Sequence, residues 1–164
     1  MLQRIRVAPT VIAGGAVIVS LAALAPFSAL AGPRASGPGL ARATAAARIE
    51  LRSTSLGKLL TNSAGLTLFV FSKDSRNVDR CAPVASCANV WSIISTRGTP
   101  TVGPGVKRSL LGTIHVRGRT QVTYAGHPLY RYAPEPTPGA TDYVGAHASG
   151  GVWRAIRASG ALIG

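Results

Sequence analysis

The chain has 164 residues, which is room for one domain of ordinary size and excludes two full domains. It carries 18 Lys and Arg against five Asp and Glu, so its formal net charge at neutral pH is +13. This charge favours anionic partners, and the lack of a C-x-x-C-H sequence excludes a covalently attached haem.

The N-terminal segment has the pattern of a secretory signal peptide. Two arginines supply a positive start, an uncharged apolar run follows over Val11 to Leu24, and the small residues Ala29 and Ala31 precede the expected cut. We therefore predict a signal peptide over residues 1–31 and a secreted or cell-envelope protein. The alternative is an uncleaved segment, which would act as a membrane anchor because about 20 apolar residues suffice to span a bilayer.

Export would leave a strongly basic chain without a lipid anchor. Removing residues 1–31 takes away two arginines and no acid, so the formal charge becomes +11. The first cysteine is Cys81, so no cysteine follows the signal segment to accept a lipid. The expected partners are anionic cell-wall polymers or lipid head groups, and export argues against nucleic acid. The alternative is that the many arginines, set among abundant Ala, Gly and Pro, reflect GC-rich coding instead of ligand binding.

Residues 32–48 are predicted to form a disordered linker, because this Ala/Gly/Pro/Arg segment has no aromatic or large β-branched side chain to bury. Over residues 49–164, short apolar runs separated by Gly, Pro, Asn and Ser predict a mainly β domain. The only helix predicted is short, Ala82 to Val90. The expected strands are Ile49 to Arg52, Lys58 to Asn62, Leu66 to Phe71, Trp91 to Ile94, Gly112 to Val116, Thr120 to Tyr124, Pro128 to Tyr132 and Val152 to Ile156.

One motif occurs twice in this domain. The ten residues that start at Gly65 match the ten that start at Gly126 in their glycine, leucine, aromatic and acidic positions, and a Val-Trp pair follows each copy. We predict two tandem β-hairpin repeat units, about residues 58–94 and 119–157, related by pseudo-twofold symmetry and sharing one aromatic core.

Aromatic residues occupy equivalent positions in the two copies. Side chains two apart share a face of a strand, so Phe69 and Phe71 point the same way, and so do Tyr130 and Tyr132. A tryptophan from each Val-Trp pair is expected to pack on those rings, giving two similar aromatic layers. The motif residues are Phe69, Phe71, Asp74, Trp91, Tyr130, Tyr132, Glu135 and Trp153.

These residues resemble a family of predicted bacterial lipoproteins with a Y-x-[FWY]-x-x-D motif, also called the secreted repeat of unknown function. The copies read FVFSKD from Phe69 and YRYAPE from Tyr130, and the segments QVTYAGHPLY and GGVW also resemble the family's. The resemblance implies the β-repeat fold, and some members are linked to extracytoplasmic electron transfer or envelope stress. The chain departs from the pattern with Phe69 for tyrosine, with Glu135 for aspartate, and in lacking the lipid-accepting cysteine.

Cys81 and Cys87 are expected to form a disulfide, because an exported protein meets an oxidising environment. The bridge would close a short loop and contribute about 2 kcal/mol in the chain-entropy model. A redox-active pair usually has C-x-x-C spacing, which this pair lacks. The second copy has no cysteine, so its loop from Pro136 to Gly151 must be ordered by other contacts or remain mobile.

No pattern of residues predicts a metal site, a cofactor or a catalytic centre. His115, His127 and His147 are too scattered for the usual spacing of zinc ligands. Asp74 and Glu135 are equivalent in the repeat, and acid–base chemistry of the glycosidase type would require the fold to bring them together. The interpretation we favour is that each acid accepts backbone N–H groups in a turn or pairs with an arginine.

We therefore expect a non-enzymatic binding or structural module whose basic surface contacts anionic components of the cell envelope. The alternative is an accessory to extracytoplasmic electron transfer or to a redox stress response. That alternative depends on the family resemblance, the aromatic residues and the cysteine pair.

Overall fold

The computed structural model of the chain describes residues 46–134 and 137–164. The predicted signal peptide over residues 1–31, the linker as far as residue 45, and Glu135 with Pro136 lie outside the described residues. The described part is mainly β, with one short α-helix and one turn of 3-10 helix at Arg108–Leu110. Neither helix has the length and apolar character needed to cross a membrane.

The strands are short, and all eight predicted strands correspond to observed ones. The run Pro128 to Tyr132 divides into two strands, and the run Leu66 to Phe71 is strand only at its end. In chain order the elements are β1 (Arg48–Thr54), β2 (Gly57–Asn62), β3 (Phe69–Phe71), α1 (Ala85–Ala88), β4 (Trp91–Ile93), β5 (Ser95–Thr96), β6 (Thr101–Val102), β7 (Leu111–Val116), β8 (Arg119–Tyr124), β9 (His127–Pro128), β10 (Tyr130–Tyr132), β11 (His147–Ala148), β12 (Gly151–Ile156) and β13 (Leu162–Ile163).

The described strands form three sheets. In the first, the antiparallel hairpin β1–β2 is extended by β6, which pairs with β1 in parallel. In the second, the hairpin β7–β8 is extended by β5, and β9 folds back onto β8. The central sheet has the order β11-β12-β3-β10-β4, with β13 paired to β12. Neighbours in the central sheet are therefore mostly distant in the chain.

Strands of the two copies alternate in the central sheet. β3 and β4 come from the first copy, and β10 and β12 come from the second. The order β12-β3-β10-β4 therefore puts β3 between two second-copy strands and β10 between two first-copy strands. The copies exchange strands, so neither copy completes this sheet without the other.

The register of the central sheet follows a pseudo-twofold axis. The cross-strand partners are Trp153 with Phe71, Trp91 with Tyr132, and Tyr130 with Phe69. The first two pairs interchange when the copies are interchanged, and the third maps onto itself. The hairpins β1–β2 and β7–β8 also correspond to each other. A tight turn follows each hairpin and leads to β3 in the first copy and toward β10 in the second. The related segments thus include β1 and β7.

Buried side chains form two clusters on the two faces of β3. Val70 belongs to one cluster, and its neighbours Phe69 and Phe71 belong to the other, because successive residues of a strand point to opposite faces. The first cluster is mostly aliphatic and also contains Ile49, Leu60, Leu68, Ile94, Val106, Val122, Tyr124, Leu129 and Ile156. The second is aromatic and also contains Cys81, Cys87, Trp91, Tyr130 and Trp153.

Candidate functional site

Two tryptophans, one from each copy, stack at the centre of the aromatic cluster. The ring centroids of Trp91 and Trp153 are 3.7 Å apart and the rings are inclined by 8°. Phe71 stacks on Trp153, with centroids 4.5 Å apart. Because β4 and β12 are related by the pseudo-twofold axis, their tryptophans meet across it.

The other aromatic motif residues join the same stack. Phe69 meets Trp91 edge to face at 5.2 Å, and Tyr130 meets Trp153 in the same way at 5.2 Å. Tyr132 packs on Trp91 at 5.1 Å. The expected aromatic core shared by both copies is therefore confirmed, because strand exchange brings the rings of both copies into one cluster.

The disulfide between Cys81 and Cys87 is present, as predicted. Both cysteines are buried in the aromatic cluster. The bridge closes the segment that contains α1, and this segment lies between the aromatic strand β3 and the tryptophan strand β4. The disulfide therefore holds one loop against the aromatic rings, in agreement with an oxidising compartment.

The corresponding loop of the second copy is ordered without cysteines. Tyr143 packs on Tyr132 with ring centroids 3.7 Å apart, and it also meets Trp91 edge to face. The hydroxyl of Thr67 donates to the carbonyl of Ala140 at 2.6 Å. Of the two possibilities for this loop, the described residues 137–150 show ordering by other contacts. Tyr143 was not singled out in the sequence because it lies outside the repeated motif.

Asp74 joins the two copies by hydrogen bonds. Its Oδ2 accepts from the hydroxyl of Tyr130 at 2.8 Å, and its Oδ1 accepts from the backbone N–H of Arg80 at 2.8 Å. Burial raises the pKa of the Asp74 carboxyl to about 6, with a smaller contribution from the charge of Asp79, and these hydrogen bonds oppose the shift. The prediction that this acid accepts a backbone N–H in a turn is confirmed.

Asp79 is a second carboxylate close to the Tyr130 hydroxyl, and it lies outside the repeated motif. Its Oδ1 accepts from the backbone N–H groups of Cys81 and Ala82 at 2.8 and 2.7 Å. Its Oδ2 is buried near the Tyr130 hydroxyl and accepts no hydrogen bond of regular geometry from the described residues. Burial, followed by the charges of Asp74 and Asp79, raises the pKa of Tyr130. The signal for this residue was its position two before a cysteine, where an aspartate can cap the turn.

Removing the charge at position 74 should change how stability depends on pH. The folded protein holds the Asp74 proton more tightly than the unfolded chain does, since its pKa is about 6 against an ordinary 3.8. The free energy of unfolding of the wild type should therefore fall, relative to that of Asp74→Asn, as pH rises from about 4 to about 6. We expect a change of about 1 kcal/mol in this difference, because partial exposure of Asp74 screens the effect.

Urea unfolding of both proteins at pH 4, 5, 6 and 7 measures this difference. The Tyr130→Phe variant is the control, because it removes a hydrogen bond that favours the charged carboxylate and should make the pH dependence steeper. Parallel stability curves for the wild type and Asp74→Asn between pH 4 and pH 7 would show that burial of Asp74 has no energetic consequence.

The position equivalent to Asp74 is Glu135, which lies outside the described residues. The residue equivalent to Tyr130 is Phe69, which has no hydroxyl group to donate to an acid of its partner copy. The hydrogen bond between Tyr130 and Asp74 therefore has no counterpart of the same kind in the other half of the domain.

The histidines do not converge in the described part of the chain. His115 hydrogen-bonds through Nδ1 with the Thr120 hydroxyl at 3.3 Å, and His147 lies on β11 in another sheet. His127 is half-buried on β9, where burial and the charge of Arg76 lower its pKa. Across residues 46–134 and 137–164, no group of three or more His, Cys, Asp or Glu side chains is arranged to hold a metal ion.

The basic side chains divide into two groups by what they contact. Some guanidinium groups bind the backbone of turns: Arg157 donates to the carbonyl of Leu56 at 3.0 Å, and Arg76 donates to that of Ala125 at 3.4 Å. Others are exposed at the end of the second sheet, namely Arg97, Arg117 and Arg119. Within the described residues the one ion pair joins Arg48 and Glu50.

Comparison with known proteins does not assign the chain to a family. No family model, no curated protein and no solved structure matches it.

Proposed function

We propose that this protein is a non-enzymatic module of the cell envelope or the secreted fraction, whose basic surface binds an anionic envelope polymer. The proposal depends on the excess of cations over anions and on the contacts that the anions make. The described residues contain fourteen cations and four anions. The remaining charged residues, which lie outside them, are Arg4, Arg6, Arg34, Arg42 and Glu135.

Three of the four described acids do little to neutralise this surface, and the fourth, Asp142, is exposed. Asp74 and Asp79 accept hydrogen bonds from backbone N–H groups and face the buried hydroxyl of Tyr130. Glu50 pairs with Arg48, and this is the one ion pair of residues 46–134 and 137–164. A surface of this kind attracts polyanions, and its attraction is reduced by salt.

The role of Asp74 supports a binding module over an enzyme. Both oxygens of its carboxylate are engaged, one by Tyr130 and one by the backbone of Arg80, and these contacts tie a loop to the other copy. A carboxylate that joins two parts of the fold in this way performs a structural task. The disulfide supports the extracytoplasmic location, since such bridges persist in oxidising compartments.

Binding to purified cell wall tests the proposal. The secreted form of the protein is mixed with wall preparations that retain their anionic polymers and with the same walls after those polymers have been extracted. We expect retention at low ionic strength on the intact walls, release by about 0.5 M salt as the charges are screened, and weak retention on extracted walls. Retention that does not decrease as salt is added, or that is equal on intact and extracted walls, would overturn the proposal.

A second candidate, an accessory to extracytoplasmic electron transfer or to a redox stress response, is supported by the aromatic cluster. Ring contacts lead from Tyr130 through Trp153 and Trp91 to Tyr132 and Tyr143, with successive centroids 3.7 to 5.2 Å apart. Protein purified from its host would then carry a coloured cofactor or a rapidly exchanging disulfide. A colourless protein whose disulfide exchanges with dithiothreitol at the slow rate of a structural bridge would exclude this candidate.

A further inference from the structure

We propose that the anionic polymer binds along two adjoining clefts that flank β4 and β5 and that are both lined by arginines. This inference deepens the proposed function by naming the binding surface. The first cleft, of about 220 Å³, is lined by Trp91, Ser92, Val116, Arg117 and Arg119, among others. The second, of about 290 Å³, is lined by Arg48, Asn62, Ser63, Ser95 and Arg131, among others. Ile93 lines both, so the clefts adjoin.

Strand pairing brings the arginines of the first cleft together. The turn between β7 and β8 has positive φ at Arg117 and Gly118, and this tight turn places Arg117 and Arg119 at one tip of the hairpin. β5 pairs with β8 through Thr96 and Thr120, so the next residue, Arg97, follows toward the same tip. Arg119 donates to the Ser95 hydroxyl at 2.9 Å, which fixes its guanidinium beside β5.

Arg131 belongs to the second cleft because β10 pairs with β4. In this register Arg131 lies opposite Ser92, and its neighbours on β10 point to the opposite face, into the aromatic cluster. Arg131 occupies the position equivalent to Val70 of the first copy. Val70 is apolar and buried. The difference between the copies at this position therefore places a charge on β10, next to the edge strand β4, where the guanidinium donates to the carbonyl of Ala133 at 3.3 Å.

The lining of both clefts suits a polyanion that also carries hydroxyl groups. No acidic side chain lines either cleft, and the one acid paired with a lining arginine is Glu50, which binds Arg48 of the second cleft. Guanidinium groups bind phosphate or carboxylate oxygens in pairs, and the neighbouring serine and asparagine side chains can bond sugar or polyol hydroxyls. Two adjoining clefts with separate arginines fit successive charged groups of one linear chain. We commit to a linear polyol phosphate as the occupant.

A membrane surface fits these clefts less well. Insertion into a bilayer uses exposed apolar side chains beside the basic ones. In the described part of the chain the exposed large apolar residues are Leu56, Val78 and Val84, and none of them lines either cleft. Binding to lipid head groups is therefore the competing outcome that the experiment must separate.

The test compares two double variants that remove the same charge. Arg117→Gln with Arg131→Gln removes one arginine from each cleft, whereas Lys58→Gln with Lys107→Gln removes two exposed cations that line neither cleft. The probes are poly(glycerol phosphate), polygalacturonate and vesicles of phosphatidylglycerol, each at fixed ionic strength. Thermal unfolding of each variant checks that it remains folded.

The arginine variant should bind poly(glycerol phosphate) at least tenfold more weakly than the wild type, and the lysine variant less than threefold more weakly. Tighter binding of the wild type to polygalacturonate than to poly(glycerol phosphate) would overturn the polyol phosphate as the occupant. Arg117→Lys with Arg131→Lys keeps the charge and should lose part of the affinity, because lysine cannot form paired contacts. Equal losses of affinity in the arginine and lysine variants would overturn the clefts as the binding site. Binding by the basic surface as a whole would still stand. Preference for vesicles over both polymers would also overturn the clefts. No salt-sensitive binding of the wild type to any probe would overturn the proposed function itself.

Discussion

Replacing Trp153 by alanine should lower the free energy of unfolding by about 3–5 kcal/mol, the cost of deleting a large aromatic side chain from a close-packed core. Trp153 is fully buried and contacts Phe71, Trp91 and Tyr130, which come from three different strands. The cavity would open at the pseudo-twofold axis, where the two copies meet. The loss therefore weakens the contact between the copies as well as the packing within one of them.

Urea unfolding followed by far-ultraviolet circular dichroism measures this effect without depending on tryptophan fluorescence. The Trp153→Phe variant is the milder control and should cost less, because it keeps a ring against Phe71. A double-mutant cycle with Trp91→Phe should give a coupling of about 0.5–1.5 kcal/mol, the usual worth of a direct aromatic pair. A loss below about 1 kcal/mol for Trp153→Ala would contradict the central position of this stack.

Removing the disulfide should cost about 2 kcal/mol. The bridge joins residues six apart in sequence, and closing so short a loop restricts the unfolded chain by that amount in the entropy model. The variant Cys81→Ala with Cys87→Ala should remain folded, because the central sheet and the aliphatic cluster do not include the bridge. The largest local loss of stability should be in residues 72–90, because the disulfide holds this segment over the aromatic rings.

Hydrogen exchange locates this effect. Amides of residues 81–90 should exchange faster in the double alanine variant, whereas those of residues 137–150 should be little changed, since Tyr143 and the Thr67 hydrogen bond hold the second loop. Wild type treated with a reductant is the matched control and should behave like the variant. Equal acceleration of both loops would mean that the disulfide supports the whole aromatic cluster.

The local elements were predictable because they depend on short-range chemistry. The alternation of Phe69 and Phe71 with Val70, and the glycine at the start of each motif, specify a short strand after a turn wherever the segment is placed. The disulfide was predictable because Cys81 and Cys87 are the only two cysteines and export was inferred. The two-residue strands, such as β5 and β13, were not predictable, because a pair of residues carries no periodicity.

The candidate clefts were not predictable from the sequence. Arg117 and Arg131 are fourteen residues apart, and they line adjoining clefts only because β8 pairs with β5 while β10 pairs with β4. The sequence indicated an excess of cations without indicating which of them bind the backbone. Arg157 and Arg76 are used in that way, by contacts with turns far along the chain.

The sequence by itself determined a basic, mainly β domain with a duplicated motif and a cysteine pair. Tertiary structure alone decided that the two copies exchange strands, that the two tryptophans stack on each other, and that the Tyr130 hydroxyl binds Asp74 of the other copy. The physical reason is that a strand's pattern specifies which face is buried but not its neighbour. That choice depends on the packing of both copies at once, and no local segment carries this information.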